Sequence, residues 1–506
     1  MSKFSSNQAD SASDHRPSIM DILPNELLAT VFSAGTAQWI ANNPHKYPFP
    51  FRVSLVCRHW RLLALRTPEL WVVVYPPLHK LDTTDQSQMW VARWLERAGD
   101  LSLTFILDDL MWVMNYTGVQ ITKQALEGCL RAILPHSNRV RLLDISLIGY
   151  FDTLPLNSLL DLFQDGLLFE QLRQLSVCGP IRYTGREELQ YALRGLPNLR
   201  KIRWSHSVPP FLENMTTLSI LRLRPLVLEF QDLLNSCPNL QTLILLEITS
   251  IPEGVRLPQT ITLSSLKTLA LSVDHQFRTN IYPFVFLKLP NLKYLELDGP
   301  MNVSQTLRDS LGGCKLETLR LSNRSKGSNF REDQRYFQTL LNDVQVLEFV
   351  ESTSADILSD VIHQPDLRRK RSAGSLFRLP PTSLTAAPST ASYSNLKTIT
   401  MDTIAHGEVL NLCRFINLHR QVERVNLSIN SHRHLKTSLL RNGNIISVEP
   451  TLMTGKKASS TFKAEVSGTR DVKEWLERLV KVHTIKSSAG LLDGEKITQR
   501  PFRELD

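Results

Sequence analysis

Two short stretches hold the residues whose types and spacing come nearest to a reactive site. His432 and His434 in "SHRHLK" could approach a metal. No Cys, Asp or Glu stands near enough in sequence to complete a donor set, so a surface pair is expected. The second stretch, "MTGKKASS", has the Gly455–Lys456 step of a phosphate-cradling loop. Pro450 stands where that loop's first glycine belongs and Lys457 where a Mg-binding Ser or Thr belongs, so it is expected to be an ordinary loop. Signatures of the types G-x-S-x-G, H-E-x-x-H and G-x-G-x-x-G are missing. Acids and bases are plentiful but form no locally readable pair, and the expectation is a chain with no catalytic residue, no metal and no cofactor.

Cys57, Cys129, Cys178, Cys237, Cys314 and Cys413 lie far apart without a C-x-x-C pair, and are expected to be buried thiols in a reducing compartment. The polar start "MSKFSSNQADSASDHRPS" lacks the apolar run of a signal peptide. The most apolar stretch is broken by Asp108 and Asp109, so no membrane span is expected and the location is expected to be cytoplasmic or nuclear. A net charge of +9 over 506 residues is a mild basic bias, which suits acidic partners and argues against nucleic acid as the main one.

What would position any site is a set of helices followed by a repeat. Residues 1–17 are Ser-, Asp- and Asn-rich and are expected to be disordered. In "DILPNELLATVFSAG", Leu27, Leu28, Val31 and Phe32 form one helical stripe behind Pro24, with Gly35 expected to end it. After the loop "NNPHKYPFPF", the stretch "RVSLVCRHWRLLAL" repeats the helical spacing with Val53, Val56, Cys57, Trp60, Leu63 and Ala64. Pro68, Leu70 and Trp71 open a third short piece. Three short helices make a marginal core that needs a partner or the domain behind it.

The remainder carries the pattern L-x-x-L-x-L eleven times, starting at Val140, Leu172, Leu199, Leu218, Leu240, Leu266, Leu292, Leu316, Val344, Leu396 and Val422. Successive starts stand 19 to 32 residues apart, save one gap of 52 between Val344 and Leu396. A near-constant period in that range marks repeats of one strand and one helix, none able to bury its leucines alone. Between Glu351 and Asn395 the composition turns to Ser, Thr, Pro and Ala around the basic run Arg368 to Arg371, which reads as an inserted loop. After Leu440 two strands and a helix carrying Val472, Trp475, Leu476 and Leu479 on one face are expected to cap the array.

Residues 136 to 440 resemble the leucine-rich repeat family, though the asparagine that the family often sets two residues past the last apolar position occurs only as Asn430. The first part resembles another family. "LPNELLATVF", "VSLVCRHWRLLAL" and "TPELW", in that order over residues 19 to 74, are similar to the F-box signature. That resemblance implies binding of the Skp-type adaptor of SCF ubiquitin ligases, and through it a cullin-RING core. Carried to the matching positions, the interface would use Leu23, Pro24, Leu27, Leu28, Val31, Phe32, Val56, Trp60, Leu63, Leu70 and Trp71. "WLERAGDLSLTFIL" followed by "ILPHSNRVRLLDI" is similar to the connector and opening strand of the large F-box families of mushroom-forming fungi.

The expected fold class is therefore α/β: a small N-terminal helical F-box followed by an irregular leucine-rich repeat solenoid, parallel strands on the concave face and helices outside. The expected domains are a helical domain at 18–75, a connector at 76–135, the solenoid at 136–440 and a cap at 441–506. The expected function is the substrate receptor of an SCF-type ubiquitin ligase, not an enzyme itself. A repeat scaffold without a ligase link is the alternative. In each hexamer the fourth and sixth residues should point into the core, leaving the third, fifth and seventh for an unknown protein cargo. That rule selects Lys201, Arg203, Arg222 and Arg224 as a basic patch on two adjacent strands, then an apolar step at Ile244 and Leu246, then Tyr294 with Glu296 and Asp298.

Overall fold

The computed structural model describes residues 23–42, 48–108 and 123–146, and beyond these 169–178, 196–205, 213–221, 227–248, 260–273, 286–299, 309–322 and 343–350. It also describes 395–402, 421–428, 438–441, 444–447, 470–471, 480–485 and a few isolated positions. The expected disordered start, most of the 351–395 insertion with its arginines, both histidines of "SHRHLK", the "MTGKKASS" stretch and the helix around Trp475 lie outside these residues. The chain is α/β, with fourteen strands of parallel sheet and few helices among the described residues. Two compact units divide at Leu143.

In the first unit, α1 (Asn25–Asn42) continues through Gly35, which was expected to stop it. The glycine serves a close approach instead: a β-carbon there would stand 2.3 Å from the ring of Phe49. The "RVSLVCRHWRLLAL" stretch is two helices, not one. The first, α2 (Phe49–Ser54), starts on Pro48, and the second, α3 (Arg58–Leu65), starts on Cys57, whose Sγ accepts the Trp60 N–H at 3.4 Å. A tight turn over Pro68–Leu70 leads to β1 (Val73–Val74), then α4 (Thr84–Ala98), β2 (Leu103–Asp108) and α5 (Lys123–Ile133). β1 and β2 pair in parallel. The last strand, β3 (Val140–Ser146), carries the dividing point.

Residues 18–75 do not close a core of their own. Trp71 donates its indole N–H to the Ala64 oxygen at 2.8 Å and lies edge-on to Trp94 at 5.1 Å, with Phe51 against both rings. Trp94 in turn donates to the Trp71 oxygen at 2.6 Å. Aromatic pairs at these separations add stabilisation beyond area burial. The packing of the helical part therefore continues through α4, past residue 75 where the motif match ends.

The second unit opens with β4 (Gln174–Cys178), β5 (Lys201–Ser205) and β6 (Thr217–Leu221). α6 (Val227–Asn235) leads into β7 (Thr242–Ile248), followed by a short β8 (Ile261–Thr262), β9 (Thr268–Val273) and a short β10 (Leu287–Lys288). Then come β11 (Tyr294–Asp298), β12 (Thr318–Ser322), β13 (Val346–Val350), β14 (Thr398–Met401) and β15 (Arg424–Ser428). An antiparallel trio, β16 (Ser438–Arg441), β17 (Asn444–Ser447) and β18 (Arg470–Asp471), precedes β19 (Lys481–Ile485). Strands 4 to 7, 9, 11 to 15 and 19 pair in parallel in that order, and β8 pairs with β10.

The hexamers make these ladders in a common register, third residue to third residue, and their fourth and sixth side chains are buried as expected. One hexamer is corrected. Leu218 pairs with Ile202 and Leu243, both fourth residues, so the unit begins at Met215 and not at Leu218. "MTTLSILRL" holds two overlapping matches that share Leu218, and spacing alone cannot choose between them. A twelfth strand of the series, β19, pairs with β15 where no hexamer was read.

The missing asparagine ladder has a counterpart at the other end of the strand. Asn198 and Asn291, each just before a hexamer, donate from Nδ2 to the Glu170 and Ser264 oxygens of the preceding turns at 2.6 and 2.8 Å. Gln421 does the same to the Tyr393 oxygen at 2.6 Å. In these three repeats a carbonyl of the preceding turn is thus satisfied by the residue just before the hexamer.

Candidate functional site

Two surfaces hold the residues that sequence singled out. In the first unit, large aliphatic side chains stay in water: Leu27 and Val31 at 52% exposure each, Leu55 at 76% and Val56 at 60%, with Leu62 and Leu65 also exposed. Leu27 and Val31 are four apart on α1 and so share one face, as do Leu62 and Leu65, three apart on α3. Leu55 and Val56 sit in the turn between α2 and α3. Of the eight large hydrophobics exposed among the described residues, these are six, which makes the helices of this unit the place where apolar surface is left uncovered.

Of the eleven positions proposed for adaptor contact, Pro24, Leu27, Val31 and Val56 are exposed, and Leu23, Trp60 and Leu63 are partly so. Leu28, Phe32, Leu70 and Trp71 are corrected: each is at most 1% exposed and belongs to the unit's own interior. Phe32 meets Trp60 at 4.8 Å, so it supports the surface from behind. Leu55, Leu62 and Leu65 were missed. The signal was present as more leucines in "VSLVCRHWRLLAL" than one helical stripe can use. Cys57 is also exposed, unlike the buried Cys129, Cys178, Cys237 and Cys314, which corrects the expectation for the thiols. Burial pushes the Cys129 thiol up to about 12 and the Cys314 thiol to about 11, which disfavours the thiolate form of each.

The second surface is the sheet face opposite the leucine core. Where the expected patch set Ile220 and Arg222 beside Lys201 and Arg203, the register sets Thr217 and Ser219. Strand β6 ends at Leu221, and Arg222 and Arg224 lie outside the described residues. Lys201 is exposed and Arg203 partly so. The apolar step is likewise corrected: Ile244 and Leu246 are buried in one cluster with Cys178, Leu221 and Ala270. This face therefore has its own small core beside β4, β6, β7 and β9.

Further along, the fifth residues of three consecutive hexamers form an ionic ladder. Arg320 donates from Nε to Glu296 at 3.2 Å and from a terminal nitrogen to Glu348 at 2.9 Å, with Arg320 and Glu296 each 1% exposed. Tyr294 donates its hydroxyl to the other Glu296 oxygen at 3.0 Å. Its phenol is pushed well up, first by burial and then by that carboxylate. Next to this row, Asp298 accepts the hydroxyls of Ser272 at 2.8 Å and Ser322 at 2.9 Å. Glu296 and Asp298 are thus interior groups, not an open acidic stretch. The alternating signs Glu, Arg, Glu at one hexamer position were legible in the sequence, but Arg320 was not singled out.

Among the described residues no three His, Cys, Asp or Glu side chains gather as a metal site, and no helix is long and apolar enough to cross a membrane. No protein-family model matches the chain, and no curated protein matches it in sequence.

Proposed function

We propose that this chain is a substrate receptor of an SCF-type ubiquitin ligase: the helices of its first unit dock on a Skp-type adaptor, and the leucine-rich repeats of its second unit hold a protein cargo. In this role it does no bond chemistry and supplies proximity between cargo and the transferring subunits. The reading rests on the resemblance to the F-box signature. The structural observation that carries it is the exposed aliphatic set Leu27, Val31, Leu55, Val56, Leu62 and Leu65, which falls within the residues of that signature. A helical surface that keeps six large aliphatics in water is stabilised by burial against a partner, at about 25 cal/mol per Å² of apolar area removed from water.

Co-purification of the full chain with a Skp-type adaptor tests the proposal. Capture by wild type and its loss in a Leu27→Ser/Val31→Ser variant that keeps its circular dichroism would support it. A folded wild-type chain that fails to capture the adaptor would overturn it in favour of a repeat scaffold without a ligase link.

A further inference from the structure

The sheet face opposite the leucine core of the second unit is open along one line. The third hexamer residues stand opposite one another in an unbroken row from β4 to β15 and on to β19. All of them are exposed or partly so, and none is Asp or Glu. Beside that row, every fifth and seventh hexamer residue from β6 to β12 is buried. Along those strands a partner therefore reaches threonines and Tyr294, and no charge in the row.

The charge of the row is concentrated at its far end. Arg424 on β15 stands directly opposite Lys481 on β19, both exposed, on strands about 4.8 Å apart. Exposed Lys397 precedes the third residue of β14, and exposed His483 lies two residues beyond Lys481 on the same face. Elsewhere neighbouring strands alternate in sign: Lys293 pairs with Glu317 at 2.7 Å, and Arg320 lies between Glu296 and Glu348. At β15 and β19 the sign repeats, and like charges side by side across a ladder cost stability. Among the described residues neither Arg424 nor Lys481 forms an ion pair. Nor does Glu423 pair with Lys397, although the Lys397 oxygen accepts the Glu423 N–H at 2.9 Å. A fold that matches signs at β11 to β13 and leaves them unmatched here is balanced by an anion from outside.

We infer that the end of the row at β14, β15 and β19 holds an acidic segment of a protein, its Asp or Glu carboxylates meeting Lys397, Arg424 and Lys481. The inference rests on the reading of the second unit as a cargo-binding array and is independent of the adaptor. It adds where on the array the cargo is held and by what chemistry. Phosphate is disfavoured as the anion because a single arginine stands among lysines, where phosphate favours forked guanidinium donors. Nucleic acid is disfavoured because Thr398, Arg424 and Lys481 offer no aromatic ring for a base to stack on. An anionic bilayer is disfavoured because Glu423 is exposed among the cations.

The test is fluorescence anisotropy of the purified full chain with a labelled peptide of alternating Glu and Gly, and with its Gln–Gly counterpart, at about 50 mM salt. Wild type should bind the Glu peptide and not the Gln peptide. Arg424→Gln/Lys481→Gln should bind the Glu peptide about tenfold more weakly. Arg173→Gln/Lys201→Gln removes the same charge from exposed positions at β4 and β5 and should bind as wild type does. Arg424→Glu sets opposite charges side by side, so it should melt no lower than wild type and bind least. Equal losses in the two double variants would assign binding to overall charge and overturn the inference. Failure of wild type to tell the two peptides apart would overturn it, as would a lower melting temperature for Arg424→Glu. Tighter binding of a phosphoserine peptide at matched charge would overturn the choice of carboxylate. Retention on poly-uridine RNA or phosphatidylserine vesicles that Arg424→Gln/Lys481→Gln loses, with Glu-peptide binding unchanged, would overturn it by naming another occupant. Adaptor capture is measured separately, so the receptor reading and this inference fail by different results.

Discussion

Gly128 on α5 lies against the backbone of Thr84 on α4: a β-carbon at Gly128 would stand 2.4 Å from the Thr84 oxygen and 2.7 Å from the β-carbon of Ser87. The two helices are held at this distance by a residue with no side chain, and the Thr84 hydroxyl donates to the Gln124 oxygen across the same contact.

Gly128→Ala is therefore expected to destabilise the first unit. The helix gains about 1 kcal/mol from alanine, but forcing backbone apart in a packed interface costs about 1–3 kcal/mol, and a rigid carbonyl cannot move aside. Gly35→Ala is the comparison, since its obstacle is the end of the partly exposed Phe49 side chain and not backbone. Thermal unfolding should show a fall of several degrees for Gly128→Ala and little change for Gly35→Ala; equal falls would refute the distinction.

The surface and the interior of the helical unit should separate cleanly in mutagenesis. Leu27→Ser/Val31→Ser changes exposed side chains and should alter stability by no more than about 0.5 kcal/mol, while adaptor capture is lost. Phe32→Ala removes a buried ring and should destabilise by about 3–5 kcal/mol. Chemical denaturation beside a binding assay would decide it. A large stability loss in the surface variant would mean that these leucines are internal after all.

Arg320 should be worth more as a partner than as a residue. Arg320→Met leaves the interior carboxylate of Glu296 without its guanidinium and should destabilise by about 3–5 kcal/mol. Glu296→Gln/Arg320→Met should recover a good part of this, since a neutral pair avoids the buried charge. A double-mutant cycle by denaturant unfolding measures the coupling, and additivity of the two single variants would contradict a coupled ladder.

Two histidines carry a pH dependence of known sign. His419 is held below its ordinary pKa by burial beside Tyr393 and Phe415, and His136 by burial and then by Arg139. A histidine depressed in the fold binds a proton more readily when unfolded, so stability is full above about pH 6.5, the unfolded value, and declines as pH falls below it. The melting temperature should drop from about pH 7.5 to about pH 5.5, and less so in a His136→Gln/His419→Gln variant. An equal drop in both proteins would assign the effect to other groups.

The sequence by itself determined the parallel strands of the second unit, because a hexamer with leucines at fixed places encodes which side chains turn inward wherever only one register fits. It left "MTTLSILRL" undecided, since Leu218 serves two overlapping matches, and only hydrogen bonding to β5 and β7 selected Met215 as the start. It showed too many leucines between Val53 and Leu65 without showing which remained in water. That depended on the break before Cys57, which caps the second of two helices where the pattern read as one, and on the packing that leaves Leu55, Leu62 and Leu65 exposed. It did not show that Ile244, Leu246, Glu296 and Asp298 would be interior on a face that alternation alone left open. Alternation states only which way a side chain points; whether anything covers it depends on contacts between residues far apart in the chain, and those exist only in the folded molecule.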